Sequence, residues 1–435
     1  MAPPARSIFR LLVRTAALLT FGTIVGLALV EVGMRSIGCV NRPGYGMNVR
    51  DRWFGWGNRR NVSTRVQRCV GGEVEFRSSV RTNRWGLRGA DATERAAPGV
   101  VRILALGDSF THAAQVDEDA SFTTRLARGL SARTHVPTEV LNAGVNGWGT
   151  DNALLYFERE GRRFHPDIVL LAFDTTNDVF ENARRLVGMR PLYADKPYYA
   201  LDDGRLRRRH HPLAAESDRT TWAREVVGRL ALDSAAFPLV IQRPSILRLM
   251  TLPPAPLPAD GVVAEPPEVM LRTYPPHWRE AWRITRGLLL CLRRATEAQG
   301  ARLVVVVVSS REEVSPAHLP VARVIYRSIA TADLDPDKPN RLVTSFLARR
   351  GIPVISLLEP FRERFGADGT PGFFQFDIHW APAGHALAAD VIAERLIDMR
   401  LTALGARPRR AASSRLNVRA PGPPPGKGTS SRPGR

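Results

Sequence analysis

The sequence predicts an α/β fold: a three-layer α/β/α sandwich on a mostly parallel sheet, preceded by one transmembrane helix. Three observations lead there. Short apolar runs bounded by turn residues recur at 101–106, 168–173 and 303–308, and runs apolar at nearly every position read as strands buried on both faces. Between them lie stretches with helical apolar spacing, such as Phe122, Leu126 and Leu130, and alternating strands and helices argue for a parallel sheet covered on both sides. The amino terminus holds 16 residues without a charge, 15–30, between Arg14 and Glu31.

That uncharged stretch covers about 24 Å at about 1.5 Å per residue, against a hydrocarbon core of about 30 Å. Continuing to Met34, with Glu31 snorkelling at one interface, reaches the required length, and Leu11, Leu12 and Val13 extend it at the other end. The predicted signal-anchor is therefore 11–34. Arg6, Arg10 and Arg14 precede it, which keeps residues 1–10 cytoplasmic and exports the remainder. A cleaved signal peptide with a site such as Gly26-Leu27-Ala28 is the second reading. A lipoprotein using Cys39 is a distant third, because Ser36-Ile37-Gly38 lacks the usual leucine. All three place the globular part outside the cytoplasm.

Residues 35–99 read as a β-containing lead-in, with short alternating stretches at Val74-Glu75-Phe76 and Val80-Arg81-Thr82. Cys39 and Cys69 flank a Gly- and Arg-rich stretch that closes as a disulfide loop in an oxidising compartment. None of the three cysteines pairs at metal-finger spacing, and Cys291, among leucines, reads as a small core residue.

The main domain is predicted over 100–400. After the first strand and its helix come a short strand at Val140-Leu141 and a helix carrying Ala153, Leu154 and Phe157. A fifth strand is expected at 352–358, with Pro353 tolerated at its start, and a last helix at 383–399. Residues 186–283 are too long for a connection and read as an insertion, either lid-like and substrate-shaping or partly disordered. It contains Arg207-Arg208-Arg209-His210-His211, taken as a solvated basic face, and a Pro-rich segment at 253–267.

Length and composition agree with this plan. The 435 residues, 44% hydrophobic and 24% charged, allow two average domains or one large domain with insertions and tails. The formal net charge is +20, but +8 of it lies from Arg407 onward, where no acid occurs. That Pro-, Gly- and Ser-rich tail, 401–435, reads as a solvated disordered end rather than a polyanion-binding arm. No nucleic-acid partner is expected.

Four short segments fall at predicted strand ends. Gly107-Asp108-Ser109-Phe110-Thr111 follows the first strand, and Asn142 to Thr150 the second. Thr176-Asn177-Asp178 follows the third, and Phe376-Asp377-Ile378-His379-Trp380 leads into the last helix. Open α/β sheets put their chemistry at such carboxyl ends. Together they supply what acyl transfer needs: a hydroxyl on Ser109, a base in His379 and an orienting carboxylate in Asp377. The Ser109 N–H, the Gly147 N–H and the Asn177 amide are the candidate oxyanion donors. Asp108 and Asp178 are read as supporting the site. Asp377 and His379 as metal ligands lack a third partner, so no metal and no cofactor are expected. His385 is read as a surface or capping residue, and Trp148 and Trp380 as either pocket-lining or core aromatics.

These four blocks, in this order, resemble those of the SGNH/GDSL hydrolase superfamily. The resemblance spans roughly residues 100–400 and implies the SGNH variant of a flavodoxin-like sandwich, with Ser109 as nucleophile, Gly147 and Asn177 in the oxyanion hole and His379 as base. Two departures stand out. Thr175 occupies the place of the glycine in the usual Gly-x-Asn-Asp, and one residue rather than two separates Asp377 from His379. The closer spacing is similar to the branch containing alginate-acetylating enzymes, and it leaves open a Ser-His dyad in place of a triad. The anchor ending in Glu31 and Arg35, with the segment Thr82 to Arg88, resembles membrane-anchored bacterial members. The function implied is an exported, membrane-anchored serine esterase for carboxylic, notably O-acetyl, esters, acting on an ester substrate such as an acylated glycan. The alternatives are an O-acetyltransferase acting on envelope polysaccharide and a catalytically silent surface-binding protein on the same fold.

Overall fold

The uncharged amino-terminal stretch forms most of helix α1 (Ala5–Ser36) in the computed structural model, which describes residues 5–36, 47–188, 196–209, 264–366 and 372–401 with a few isolated positions between. Its segment Leu12–Met34, 23 residues with none buried against the rest of the chain, is long and apolar enough to cross a membrane.

The lead-in is two antiparallel hairpins. Strands β1 (Asn48–Asp51) and β2 (Gly55–Asn58) form the first, and β3 (Val62–Val70) and β4 (Glu73–Thr82) the second. Cys39 is disulfide-bonded to Cys69 at the end of β3, tying the residues just after α1 to the second hairpin. Both hairpins dock on the main domain. The Trp56 indole N–H donates to the Asn146 carbonyl (2.8 Å), the Trp148 indole returns a bond to the Trp56 carbonyl (3.0 Å), and the Asn58 amide donates to Gly144 (2.9 Å).

The apolar runs become a parallel five-stranded sheet. In chain order its strands are β5 (Val101–Leu106), β6 (Thr138–Asn142), β7 (Ile168–Asp174), β10 (Arg302–Val308) and β11 (Val354–Ser356), with a small hairpin β8 (Tyr199–Asp202) and β9 (Arg205–Arg208) between the third and fourth. Spatial order is β11-β10-β7-β5-β6. Alternate residues face opposite layers. Val101 and Ile103 of β5, with Ile168, Leu170, Val304 and Val306, meet helix α2 (Phe122–Thr134) and the last helix, α6 (Pro382–Asp398). Leu104, Leu106, Val169, Leu171, Val305 and Val307 meet α3 (Thr150–Arg159), α4 (Pro276–Ala298) and α5 (Lys338–Arg349) on the other side. The three-layer sandwich expected from the sequence is thus the observed architecture.

Because the chain steps from β5 to β6 on one side and later to β7 on the other, strand order reverses at β5. Such a reversal opens a crevice beyond the carboxyl ends of the strands. Pairings of Leu106 with Leu171 and of Val308 with Asp174 bring those ends to one edge.

Two expectations need correcting. The stretch 186–283 overshoots the insertion, because α4 begins at Pro276 and already buries Trp278, Ala281 and Trp282 in the core. Proline at the first helical turn loses no hydrogen bond, so Pro276 starts a helix rather than prolonging a loop. The fifth strand is only Val354–Ser356, and a helix, Leu358–Phe365, follows at once. His210, His211, most of the Pro-rich segment and the basic tail beyond Leu401 lie outside the described residues.

Candidate active site

Ser109 is placed by a turn that only glycine fits. Gly107 has φ +153°, and a Cβ there would lie 2.9 Å from the Ala172 carbonyl of β7 and closer still to the Thr111 hydroxyl. One residue on, the Asp108 carboxylate accepts the Phe110 N–H (2.9 Å) and caps the short helix Ser109–His112. That helix is braced from two sides. The Asn142 amide donates to the Thr111 carbonyl (2.6 Å), and the buried Arg88 guanidinium donates to the carbonyls of His112, Ala113 and Val116. Gly144 passes so close beneath that an added Cβ would sit 2.6 Å from the Thr111 carbonyl carbon.

His379 arrives on the loop before α6, which is closed by a bridge between Phe373 and Trp380 and by the Phe374 N–H donating to the His379 carbonyl (3.1 Å). Its Nε2 lies 2.7 Å from the Ser109 Oγ. Its Nδ1 lies against Asp377 Oδ1, which also accepts the backbone N–H of His379 (3.0 Å). The single intervening residue therefore poses no obstacle, since one carboxylate oxygen serves both the ring and the backbone of the same residue. Burial alone raises the Asp377 carboxyl, but the hydrogen bonds from His379 and the charges of His379 and Arg68 outweigh it and hold the group below its ordinary range. A hydroxyl bonded to one imidazole nitrogen and a carboxylate bonded to the other is an arrangement that can move a proton from Ser109.

The loop carrying His379 is held by the lead-in. Arg68 of β3 contacts Asp377 Oδ2 (3.3 Å), donates to the Phe376 carbonyl (3.0 Å) and pairs with Glu75 of β4 (3.0 Å). Glu75 in turn accepts the N–H groups of Phe376 (2.6 Å) and Asp377 (3.2 Å). Gln115, just beyond the Ser109 helix, places its amide nitrogen 3.0 Å from His379 Nδ1. The sequence reading missed Arg68, Glu75 and Gln115. No local signal marks them, because their partners lie some 300 residues away for the first two and 264 for the third.

Gly147 and Asn177 follow the two strands that flank β5. Gly147 sits in the loop after β6, where the Trp148 N–H donates to the Val145 carbonyl (3.1 Å). Asn177 opens a short helix, Asn177–Glu181, after β7, and its side-chain amide donates to Asp174 Oδ2 (3.2 Å), leaving its second N–H for another acceptor. Asp178 accepts the Thr150 hydroxyl (2.6 Å) and the Asp174 N–H (2.8 Å), so it links the loops after β6 and β7. Thr175, standing where glycine is usual, bonds through its hydroxyl to the Val308 carbonyl (3.1 Å) and to Glu313, pinning this loop to the end of β10.

The surroundings are rich in buried acids. Burial and mutual repulsion push Asp108 and Asp174 up to about 7, burial raises Glu181 to about 7 and Glu313 to about 8, and Asp178 is raised well above its ordinary value. Near neutrality these groups hold protons and act as hydrogen-bond donors as well as acceptors.

His385 is not at the surface. It is 1% exposed, stacks on Phe122 with ring centroids 6.2 Å apart, and accepts the Phe122 N–H (3.4 Å). Its capping is of another helix, α2, and burial pulls it down to about 3, so it stays neutral. Trp148 and Trp380 are 2% and 1% exposed and are core aromatics. Cys291 is only half-buried at the core's margin.

Comparison with known proteins supports this geometry at the level of family. Residues 105–227 match the GDSL-like lipase/acylhydrolase family, and residues 276–423 match the SGNH hydrolase-like domain of the acetyltransferase AlgX. No curated protein matches the sequence. Among solved structures, the chain is similar to TesA at 12% identity, covering 68% of this chain and 99% of that one with a TM-score of 0.34. It is also similar to the acetyl xylan esterase AlAXEase at 11% identity, covering 68% and 98% with a TM-score of 0.35. On the two family matches, the chain belongs to the SGNH/GDSL hydrolase superfamily and resembles its AlgX branch in the carboxyl-terminal part.

Proposed function

We propose that the protein is an exported, membrane-anchored serine esterase that hydrolyses carboxylic esters, O-acetyl esters among them, through an acyl-enzyme. The observation that carries this reading is the 2.7 Å contact between Ser109 Oγ and His379 Nε2, with Asp377 at the other ring nitrogen. Ser109 attacks the ester carbonyl as His379 takes its proton, and Asp377 holds the imidazole in the tautomer that allows this. The N–H groups of Ser109 and Gly147 and the Asn177 amide receive the oxyanion. His379 then protonates the leaving alcohol, and water, activated by the same imidazole, releases the acid. Asp108 and Asp178 hold the Ser109 and Asn177 loops in place.

Export is supported by helix α1 and by the Cys39–Cys69 disulfide, since such bonds persist in oxidising compartments. Arg6, Arg10 and Arg14 before the apolar segment favour a cytoplasmic amino terminus. A second reading, transfer of the acetyl group to a sugar hydroxyl in place of water, is favoured by the match of residues 276–423 to the AlgX acetyltransferase domain.

The test is turnover of p-nitrophenyl acetate by the purified full chain in detergent, with and without a glycan acceptor. Hydrolysis that disappears in Ser109→Ala supports the esterase. Net transfer exceeding hydrolysis selects the second reading, and a wild type without any ester turnover rejects both.

A further inference from the structure

A cleft of about 580 Å³ lies between the β3–β4 hairpin and the loops after β5 and β6. Its volume is in the range of ligand sites. Its wall includes the carboxamides of Asn41, Gln67, Gln115 and Asn146 and the ring of Phe76. It adjoins the reacting groups, because Gln115 touches His379 Nδ1 and Asn146 precedes Gly147. We infer that this cleft is a carbohydrate subsite, binding the neutral sugar that carries the acyl group on the Asp377 side of the imidazole. The inference rests on the esterase reading above and adds the class of alcohol.

The lining decides between ligand classes. An acyl chain needs apolar walls, and here polar groups dominate. An acidic glycan needs a spare cation, and the Arg68 guanidinium is already engaged by Asp377, Glu75 and the Phe376 carbonyl. With Arg68 and Asp377 cancelling, the cleft offers no net charge from this pair. Carboxamides suit a neutral sugar, since each both donates to and accepts from hydroxyl groups. The side-chain oxygens of Gln115 and Asn146 have no hydrogen-bond partner among the described residues. A small rotation of either amide turns that unused acceptor toward a sugar hydroxyl. Phe76 supplies an apolar ring of the kind on which a sugar's C–H face packs. One wall, Asn41, stands five residues beyond the end of α1 at Ser36 and is fixed beside Cys69, whose N–H its side chain accepts (2.7 Å). The bound glycan therefore lies close to the membrane end of the molecule.

Two measurements on the full chain in detergent micelles test this. In the first, Phe76→Ala and Asn41→Ala are compared with wild type on acetylated xylotetraose and on p-nitrophenyl acetate. Neither residue touches the reacting atoms. A KM for the oligosaccharide raised about tenfold, with p-nitrophenyl acetate turnover within twofold of wild type, supports the subsite. Unchanged KM, or equal losses on both substrates, overturns it, as does a wild-type preference for acetylated oligogalacturonate or p-nitrophenyl palmitate. The second, saturation-transfer NMR of unmodified xylotetraose on Ser109→Ala protein, does not depend on catalysis. Signal that Phe76→Ala abolishes supports the subsite, and no signal rejects it. Failure of the esterase reading shows separately, as a wild type inert toward p-nitrophenyl acetate.

Discussion

Replacing Arg68 with methionine removes the cation that joins the lead-in to the His379 loop, while keeping most of the aliphatic stem. Three contacts go at once: with Asp377 at 3.3 Å, with the Phe376 carbonyl at 3.0 Å and with Glu75 at 3.0 Å. Hydrogen bonds to charged groups contribute about 1.5–3 kcal/mol when buried. The Arg68 side chain is 40% exposed, and exposed ion pairs contribute about 0.2–1 kcal/mol, so the three together are worth about 1–2 kcal/mol. If the loop needs this energy to present His379, turnover falls about tenfold, at about 1.4 kcal/mol per decade. A second effect has a definite sign. Arg68 helps to keep the Asp377 carboxyl low, and without it the carboxyl of Glu75, 7% exposed, remains on the same loop. Asp377 therefore rises, and the acid limb of the rate profile moves to higher pH. The assay is p-nitrophenyl acetate turnover from pH 4 to 9, with Arg65→Met, an exposed arginine on the same strand, as the charge-matched control. Turnover and acid limb identical in the two variants would refute the idea that the hairpin positions the catalytic acid.

Other substitutions probe the remaining layers. Asp377→Asn keeps the shape of the loop but not its charge, and should lower kcat by about 10²–10⁴-fold while KM changes little; comparable kcat in the variant would point to a Ser-His dyad. Glu313 is raised by burial to about 8 from an ordinary 4.5, so the stability it contributes is complete below about 4.5 and is lost as pH rises through about 8. Glu313→Gln should therefore match wild-type melting near pH 5 and melt progressively above it toward pH 9, and parallel curves would contradict this. Gly144→Ala forces a methyl group to 2.6 Å from the Thr111 carbonyl carbon, which should cost about 1–3 kcal/mol and lower both melting temperature and turnover. Calorimetry and the same ester assay check it.

What the sequence displays most clearly is whatever is both local and buried. Strands β5, β7 and β10 are covered on two faces, so their apolar runs announce them, and the four blocks at strand ends carry Ser109, Gly147, Asn177 and His379 in short motifs. The sheet's edge is less legible: β11 pairs on one side only, and Leu358 already belongs to a helix. The start of α4 was hidden by Pro275 and Pro276, which prolong a Pro-rich stretch in sequence but begin a helix in space. His385 follows Pro382 in an opening turn that looks solvent-facing, yet Phe122 and Trp380 enclose it. Arg68, Glu75 and Gln115 could not be assigned from spacing, because only docking of a hairpin from one end of the chain onto a loop from the other brings them to Asp377 and His379.

Mass spectrometry of the full chain after brief exposure to a fluorophosphonate ester reports on the proposed nucleophile without any knowledge of the natural substrate. A single adduct mapped to Ser109, absent in Ser109→Ala and much slower to form in His379→Ala, is the outcome the proposed chemistry requires. No adduct on active-site peptides of the folded wild type, or one that persists at equal rate without the serine or the histidine, would contradict it.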